Sequence, residues 1–187
     1  HDSGTNLLQV AGSGQVRFAD GTVSLPAISN LGDLNTGIFF PAADEIGFTD
    51  GGVEAARFSA AGQLFIKHTT NVATAGHNAA LQLTGAGASD FSDATLSIIG
   101  NSANSNGSYL HFGKSRSNSA GGVTVVAADD TVGQLNFCAA DGTDLNSRAA
   151  SITVQIDGTP GANDVPGRLH FATTADGASS PTNRMTI

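Results

Sequence analysis

Three tripeptides in the last third of the chain, Leu110-His111-Phe112, Leu135-Asn136-Phe137 and Leu169-His170-Phe171, each set two large apolar side chains two positions apart. A period of two is what a β-strand buried on one face requires, because successive side chains point to opposite faces of the sheet. Asp141-Gly142 and Asp176-Gly177 follow the last two, and Asp-Gly supplies the left-handed backbone that a tight reversal needs. The same alternation recurs at Val16/Phe18, Val23/Leu25, Leu64/Ile66, Leu81/Leu83, Leu96/Ile98, Val123/Val125 and Ile152/Val154/Ile156. The residues between are mostly polar (Arg17, Ser24, Gln82, Ser97, Thr124, Thr153, Gln155), so each strand is expected to have one core face and one polar face. The fold class is therefore all-β.

Turns are expected at Ala19-Asp20-Gly21, Thr49 to Gly52, Asn101 to Gly107, Ser115 to Gly122, Asp157-Gly158 and Thr159-Pro160-Gly161. Helix has one candidate, Val53 to Ala61. Gly51-Gly52 before it and Gly62 after it leave barely two turns, too short to stand alone, and it reads instead as a short strand around Arg57-Phe58. Three segments follow: an N-terminal β-repeat segment over 1–67, a central Thr/Ala/Asn-rich β segment over 68–100, and a C-terminal β-repeat segment over 101–187.

Charged residues are 13% and aromatics 6% of 187 residues, with no Trp and 24 Gly. Ten Phe spread singly along the chain make up nearly all of its aromatic mass. Strands with one apolar stripe and few large neighbours in their own chain must find contacts in other copies, as repeat and intertwined folds do. Pairing between copies also removes the free sheet edges that would otherwise aggregate.

The formal charge of −8, with lysines only at 67 and 114 and six scattered arginines, lacks the clustered basic footprint that phosphate backbones require. Nucleic acid is not an expected partner. No run approaches the ~18 apolar residues that span a bilayer, so membrane insertion is not expected. The single Cys138 makes no internal disulfide and reads as a small buried hydrophobe.

Several runs carry a resemblance. Lys114-Ser115-Arg116, Ala140 to Asn146, Val154 to Phe171 and Thr173 to Ile187 resemble the repeat region of bacteriophage tail fibres. Gly32 to Ile66 is similar to another repeat of those proteins, in which a "GDxNTGI" turn leads into an "IGF" strand. The resemblance implies an elongated, intertwined homotrimer, a β-helix-like or β-prism-like shaft with short strands and Gly-rich turns. It also implies a place in the virion tail, outside the cell, and as partners the chain itself, other phage tail proteins and a host surface glycan or protein. In that family the repeats often precede a C-terminal intramolecular chaperone with self-cleaving peptidase activity. The closing Asn183-Arg184-Met185-Thr186-Ile187 departs from the usual "ERMRI" ending, and the peptidase chemistry is not carried over to any residue here. The chain reads as a mature product or a part of a longer fibre.

The expected trimer core is Leu110, Phe112, Leu135, Phe137, Ile152, Val154, Leu169 and Phe171. Candidate receptor-facing residues lie in the two longer loops: Asn101, Asn104, Asn106, Arg116 and Asn118. Loops on a rigid scaffold are where recognition concentrates.

Catalytic, cofactor-binding and metal-ligating residues are not expected. Carboxylates occur in pairs at Asp44/Glu45, Asp90/Asp93, Asp129/Asp130 and Asp141/Asp144, and a glycosidase needs two carboxyls facing across a sugar. All four pairs sit in or beside turn-like sequence and read as solvated turn residues. His111 and His170 alternate with apolar residues, and His1, His68 and His77 lie in polar stretches; all read as surface histidines without the paired spacing of a metal site. Gly12-Ser13-Gly14 and Gly85-Ala86-Gly87 lack the Lys of a phosphate loop. The leading functional reading is a fibre that supports or performs attachment to the host surface. Alternatives are a tailspike-like polysaccharide depolymerase and a capsid fibre or cell-surface filament built from the same repeat.

Overall fold

A computed structural model of the protein describes residues 8–10, 12, 14–85 and 94–187, and among them every regular element is a β-strand. The chain divides into two compact units. One comprises the chain up to Val72 together with Asn78–Leu96, the other Ala73–His77 together with Ser97–Ile187.

In the first unit, β1 (Leu8–Val10) pairs antiparallel with β2 (Val16–Phe18). Six strands then form one open sheet in chain order: β3 (Ile28–Asn30), β4 (Asp33–Phe39), β5 (Ile46–Asp50), β6 (Val53–Phe58), β7 (Leu64–Ile66) and β8 (Leu81–Leu83). Gly51 and Gly52, with φ of 59° and 79°, make the two-residue reversal between β5 and β6 that positive φ at both positions favours. The segment suspected of helix is indeed strand β6. Residues 32–38, expected as a turn, are mostly strand β4. Asn30 Oδ1 accepts the Gly32 amide at 3.0 Å, which confines the reversal to two residues and frees the rest to pair.

Only the last pair, β7 with β8, is parallel, which requires a crossover. Residues 67–80 supply it, and a cluster of amides holds it: Asn71 Oδ1 accepts from Gln63 Nε2 at 3.0 Å and from Gln82 Nε2 at 2.6 Å. Phe39, Gly47, Arg57, Phe65 and Gln82 form one row across this sheet, and Phe39 and Phe65 are buried. The other face carries Ile46, Phe48, Phe58, Leu64 and Leu81; of these Ile46, Phe58 and Leu81 are exposed.

The second unit is built on a four-stranded antiparallel sheet of β9 (Thr131–Ala139), β10 (Ser147–Ile156), β11 (Gly167–Thr173) and β12 (Thr182–Thr186), in the order β12-β11-β10-β9. Three expected strands, Leu96–Ile98, Leu110–Phe112 and Val123–Val125, enter no ladder. Their alternation is real, but a strand also needs a continuous neighbour to bond: Thr124 bonds only to Ser115 Oγ and the Arg116 amide, and the other two segments enter no ladder among the described residues. Val23 and Leu25 likewise lie in a tight turn, closed by the Thr22 amide on the Leu25 carbonyl at 2.8 Å.

Candidate functional site

The register of β9–β12 sorts the side chains into two faces. On the first, Leu135, Ile152, Phe171 and Met185 form one row, flanked by Gly133, Val154 and Leu169 on one side and Phe137, Ala150 and Thr173 on the other. Six of the eight residues expected in the trimer core thus share a face. The other two join them: Leu110 and Phe112 border an apolar groove of about 380 Å³ together with Leu135, Ile152 and Val154. A Cβ on Gly133 would lie 2.7 Å from the Cβ of Phe112, so the bare backbone there is what lets Phe112 rest on the sheet. In one chain this face stays open, with Leu110, Phe112, Leu135, Phe137 and Val154 all exposed.

The second face is polar and better covered. Gln134, Thr153, His170 and Thr186 make one row, and Asn136, Ser151, Ala172 and Asn183 the next. Ser151 is 6% exposed and His170 9%, which corrects the reading of His170 as a surface histidine. Its ring is held on every side: Arg168 Nε donates to Nε2 at 3.0 Å, Gln155 Oε1 lies 3.1 Å from Nε2, and Nδ1 meets Thr186 Oγ1 at 2.9 Å and Asn183 Nδ2 at 3.2 Å. Arg168 is itself held by Asp157 Oδ1 at 2.9 Å and by Asp129 Oδ1, and these bonds, the one to Asp129 foremost, raise its pKa.

Three irregularities decide what this polar face contains. The β9–β10 register shifts between Val154 and Gln155 and again between Arg148 and Ala150, and β11–β12 shifts between Phe171 and Ala172. Each inserts one residue, Val132, Ala149 and Arg184 respectively, and each re-aims its neighbour. As a result Thr131 pairs with Gln155, Arg148 with Cys138 and Asn183 with Ala172, so all three land on the polar face. There they line a groove of about 250 Å³ with Gln134, Ser151 and Thr153.

The two loops are organised by their own side chains. Asn104 Oδ1 accepts from Ser102 Oγ at 2.6 Å and from the Asn106 amide at 2.9 Å, and Asn101, Asn104, Asn106 and Asn118 are exposed. Arg116 is not free. It clasps Asp130 with two bonds of 2.7 and 2.8 Å, and with the Ala127 amide it drives the Asp130 pKa far below the usual carboxylate range.

The carboxylate pairs separate in space or in task. Glu45 and Glu54, the only glutamates in the chain, both bind Arg57, Glu45 at 2.7 Å and Glu54 through two guanidinium nitrogens. Asp129 goes to Arg168 and Asp130 to Arg116. Asp141 accepts from Ser147 Oγ at 2.7 Å and the Thr143 amide at 2.9 Å, bonds that lower its pKa, while Asp144 accepts from Asn146. Asp90 and Asp93 lie outside the described residues, as do His1, Ser13, Ala86 and Gly87. His68 is also not a surface histidine: its ring is half-buried against Phe65, 4.7 Å between centroids. Cys138, expected to be buried, is partly exposed. Among the described residues no three His, Cys, Asp or Glu side chains gather into a metal-binding group.

No protein-family model and no curated protein matches this chain.

Sequence reasoning missed Arg148, Ser151 and Asn183. Strict alternation places Arg148 with Ala150, Ile152 and Val154 on the apolar face, and only the extra Ala149 moves it. Nothing in the residues 147–150, Ser-Arg-Ala-Ala, marks a bulge, because no glycine or proline is required for one.

Proposed function

We propose that this chain is a segment of a trimeric bacteriophage tail fibre that supports or performs attachment to the host surface. The observation that carries the reading is unburied apolar surface. Leu110, Phe112, Leu135, Phe137 and Val154 are all exposed and gather on one face of β9–β12 with Ile152, Leu169 and Phe171. The segments Leu96–Ile98 and Leu110–Phe112 enter no ladder among the described residues. Three copies supply the missing neighbours for both, and small residues at many positions let the chains wind closely. The repeat resemblance supports the trimer over other stoichiometries and the tail over other locations. Glu45, Glu54, Asp129 and Asp130 are held by arginines and Asp141 by Ser147 and turn amides, which supports an attachment role over sugar cleavage.

Light scattering of the purified protein is expected to give three times the 18.7 kDa chain mass, and a folded monomer at micromolar concentration refutes the trimer. The assembled protein is expected to slow adsorption of the phage to its host while releasing no reducing sugar from capsule or lipopolysaccharide. Sugar release that disappears on substituting Asp44, Asp130 or Asp144 refutes the attachment reading in favour of the depolymerase.

A further inference from the structure

We propose that the polar groove of β9–β12 is a binding site for an acidic saccharide, with Arg148 receiving the sugar carboxylate and Gln134, Ser151, Thr153 and Asn183 meeting its hydroxyls. This rests on the reading that the apolar face, not the polar one, is covered by other copies.

Arg148 is the first observation. Every other arginine has a partner: Arg17 on Gln15, Arg57 on two glutamates, Arg116 on Asp130, Arg168 on Asp129 and Asp157, and Arg184 on Thr173. The Arg148 guanidinium is half-buried, lines the groove, and has no hydrogen-bond or ion-pair partner among the described residues. No carboxylate lines the groove with it. No Arg148 nitrogen is both buried and unpaired, so the guanidinium, without an internal partner in a chain of net charge −8, stands open to an anion from solution. Its planar fork of donors matches an oxyanion that accepts two parallel bonds, as a carboxylate does.

Ser151 is the second. It is 94% buried, being 6% exposed, and its hydroxyl makes no hydrogen bond among the described residues. Thr153 and the Gln134 amide are likewise without side-chain partners there. These groove atoms, unlike His68 Nε2, are not shut away from solvent, so their unused donors and acceptors are open to a ligand in the groove. Hydroxyls and amides both donate and accept, which fits the hydroxyls of a sugar and not a bare anion. Ala172 and Pro181 are the only apolar residues on the lining, so an apolar or aromatic ligand has little to lie against. The 250 Å³ of the groove is about eight liquid-water volumes, room for one sugar ring.

The third observation is how the groove is made. Each of the three bulges delivers a polar residue to it, Thr131, Arg148 or Asn183. Bulges recur where a sheet re-aims a side chain toward a site. His170 and its four partners then hold the floor of the groove rigid, as a preorganised site needs.

Saturation-transfer NMR and calorimetry with glucuronate, its methyl ester, glucose and acetate test the proposal on the assembled protein. Glucuronate is expected to bind at least tenfold more tightly than the ester, glucose or acetate. Arg148→Gln is expected to bring glucuronate down to the level of glucose, Arg148→Lys to recover only part of the loss, and Ser151→Ala to weaken glucuronate and glucose alike. Arg148 makes no internal bond, so its variants are expected to melt with the parent. Absence of glucuronate binding, equal binding of glucuronate and glucose, or indifference to Arg148→Gln overturns the site; acetate binding as tightly as glucuronate reduces it to an anion site and overturns the saccharide. Light scattering separates this from the trimer. A trimer that binds no glucuronate removes the groove alone, and a monomer whose glucuronate binding depends on Arg148 keeps the groove and removes the trimer.

Discussion

Gly37 and Gly47 show how little space separates neighbouring strands in the first unit. A Cβ at Gly37 would fall 1.9 Å from the Ile28 carbonyl oxygen, and one at Gly47 would fall 2.5 Å from the Phe39 ring. The ring can turn aside and the backbone cannot. Gly47→Ala is therefore expected to cost about 1–3 kcal/mol in urea unfolding, whereas Gly37→Ala is expected to detach β3, visible as loss of amide protection at Ile28–Asn30. A second residue-scale test is acidic pH. The bonds from Arg116 first, then the Ala127 amide, lower the Asp130 pKa below its ordinary 3.8. A depressed folded-state pKa means stabilisation that is complete above the unfolded value and is lost as pH falls below about 4. Hydrogen exchange in the loop 115–124 is expected to accelerate over that range, and Asp130→Asn to give the same loosened loop at neutral pH; an unchanged loop in the variant refutes the clasp. The sequence showed Asp129 and Asp130 only as a pair. That they part, to Arg168 and Arg116, depends on a left-handed Asp129 with φ of 67°, which adjacency in sequence does not reveal.

Among the strands, period two was a sound guide to face and a poor guide to pairing. It put Leu135, Ile152 and Phe171 on one side, and the register agrees. It could not see the bulges at Val132, Ala149 and Arg184, because a bulge is a property of two strands together. Nor could it see that Leu96–Ile98 and Leu110–Phe112 enter no ladder among the described residues. The expectation for His170 failed for a related reason: "away from the apolar face" meant into a second, polar layer rather than into water. Two substitutions weigh the faces against each other. His170→Ala leaves Arg168 Nε and Thr186 Oγ1 without partners and is expected to cost about 1–3 kcal/mol whatever the assembly state. Phe137 is 54% exposed in one chain, so Phe137→Ala is expected to cost little in a monomer. In an assembly that buries the ring the expected loss is about 3–5 kcal/mol. A small loss for Phe137→Ala in the assembled protein excludes this face from the interface. Arg57→Met tests the other sheet: it strands Glu45 and Glu54, whose side chains are 19% and 12% exposed, and is expected to cost about 3 kcal/mol in thermal unfolding.

At the scale of the whole molecule, the apolar residues that a single chain buries are few. Phe39, Phe65, Ile156 and Ala172 are the only hydrophobic residues buried among those described. In the proposed trimer the remaining stabilisation comes from surface that is open in one copy. Under that proposal folding and association are one equilibrium, and the melting temperature is expected to depend on protein concentration, as it does for any state stabilised by mass action. A hundredfold dilution is expected to lower the melting temperature and to leave no folded monomer at the end of the series. The amides of Leu96–Ile98 and Leu110–Phe112 report the same event locally. They make no ladder among the described residues, so protection from hydrogen exchange there is expected to appear only in the assembled protein and to vanish together with the ladder of β9–β12 on dilution. If instead β9–β12 stays protected after the two segments have lost protection, the sheet folds alone and association is a separate, weaker step. Concentration-independent melting, with both segments unprotected throughout, shows that the open apolar face is not what holds this protein together.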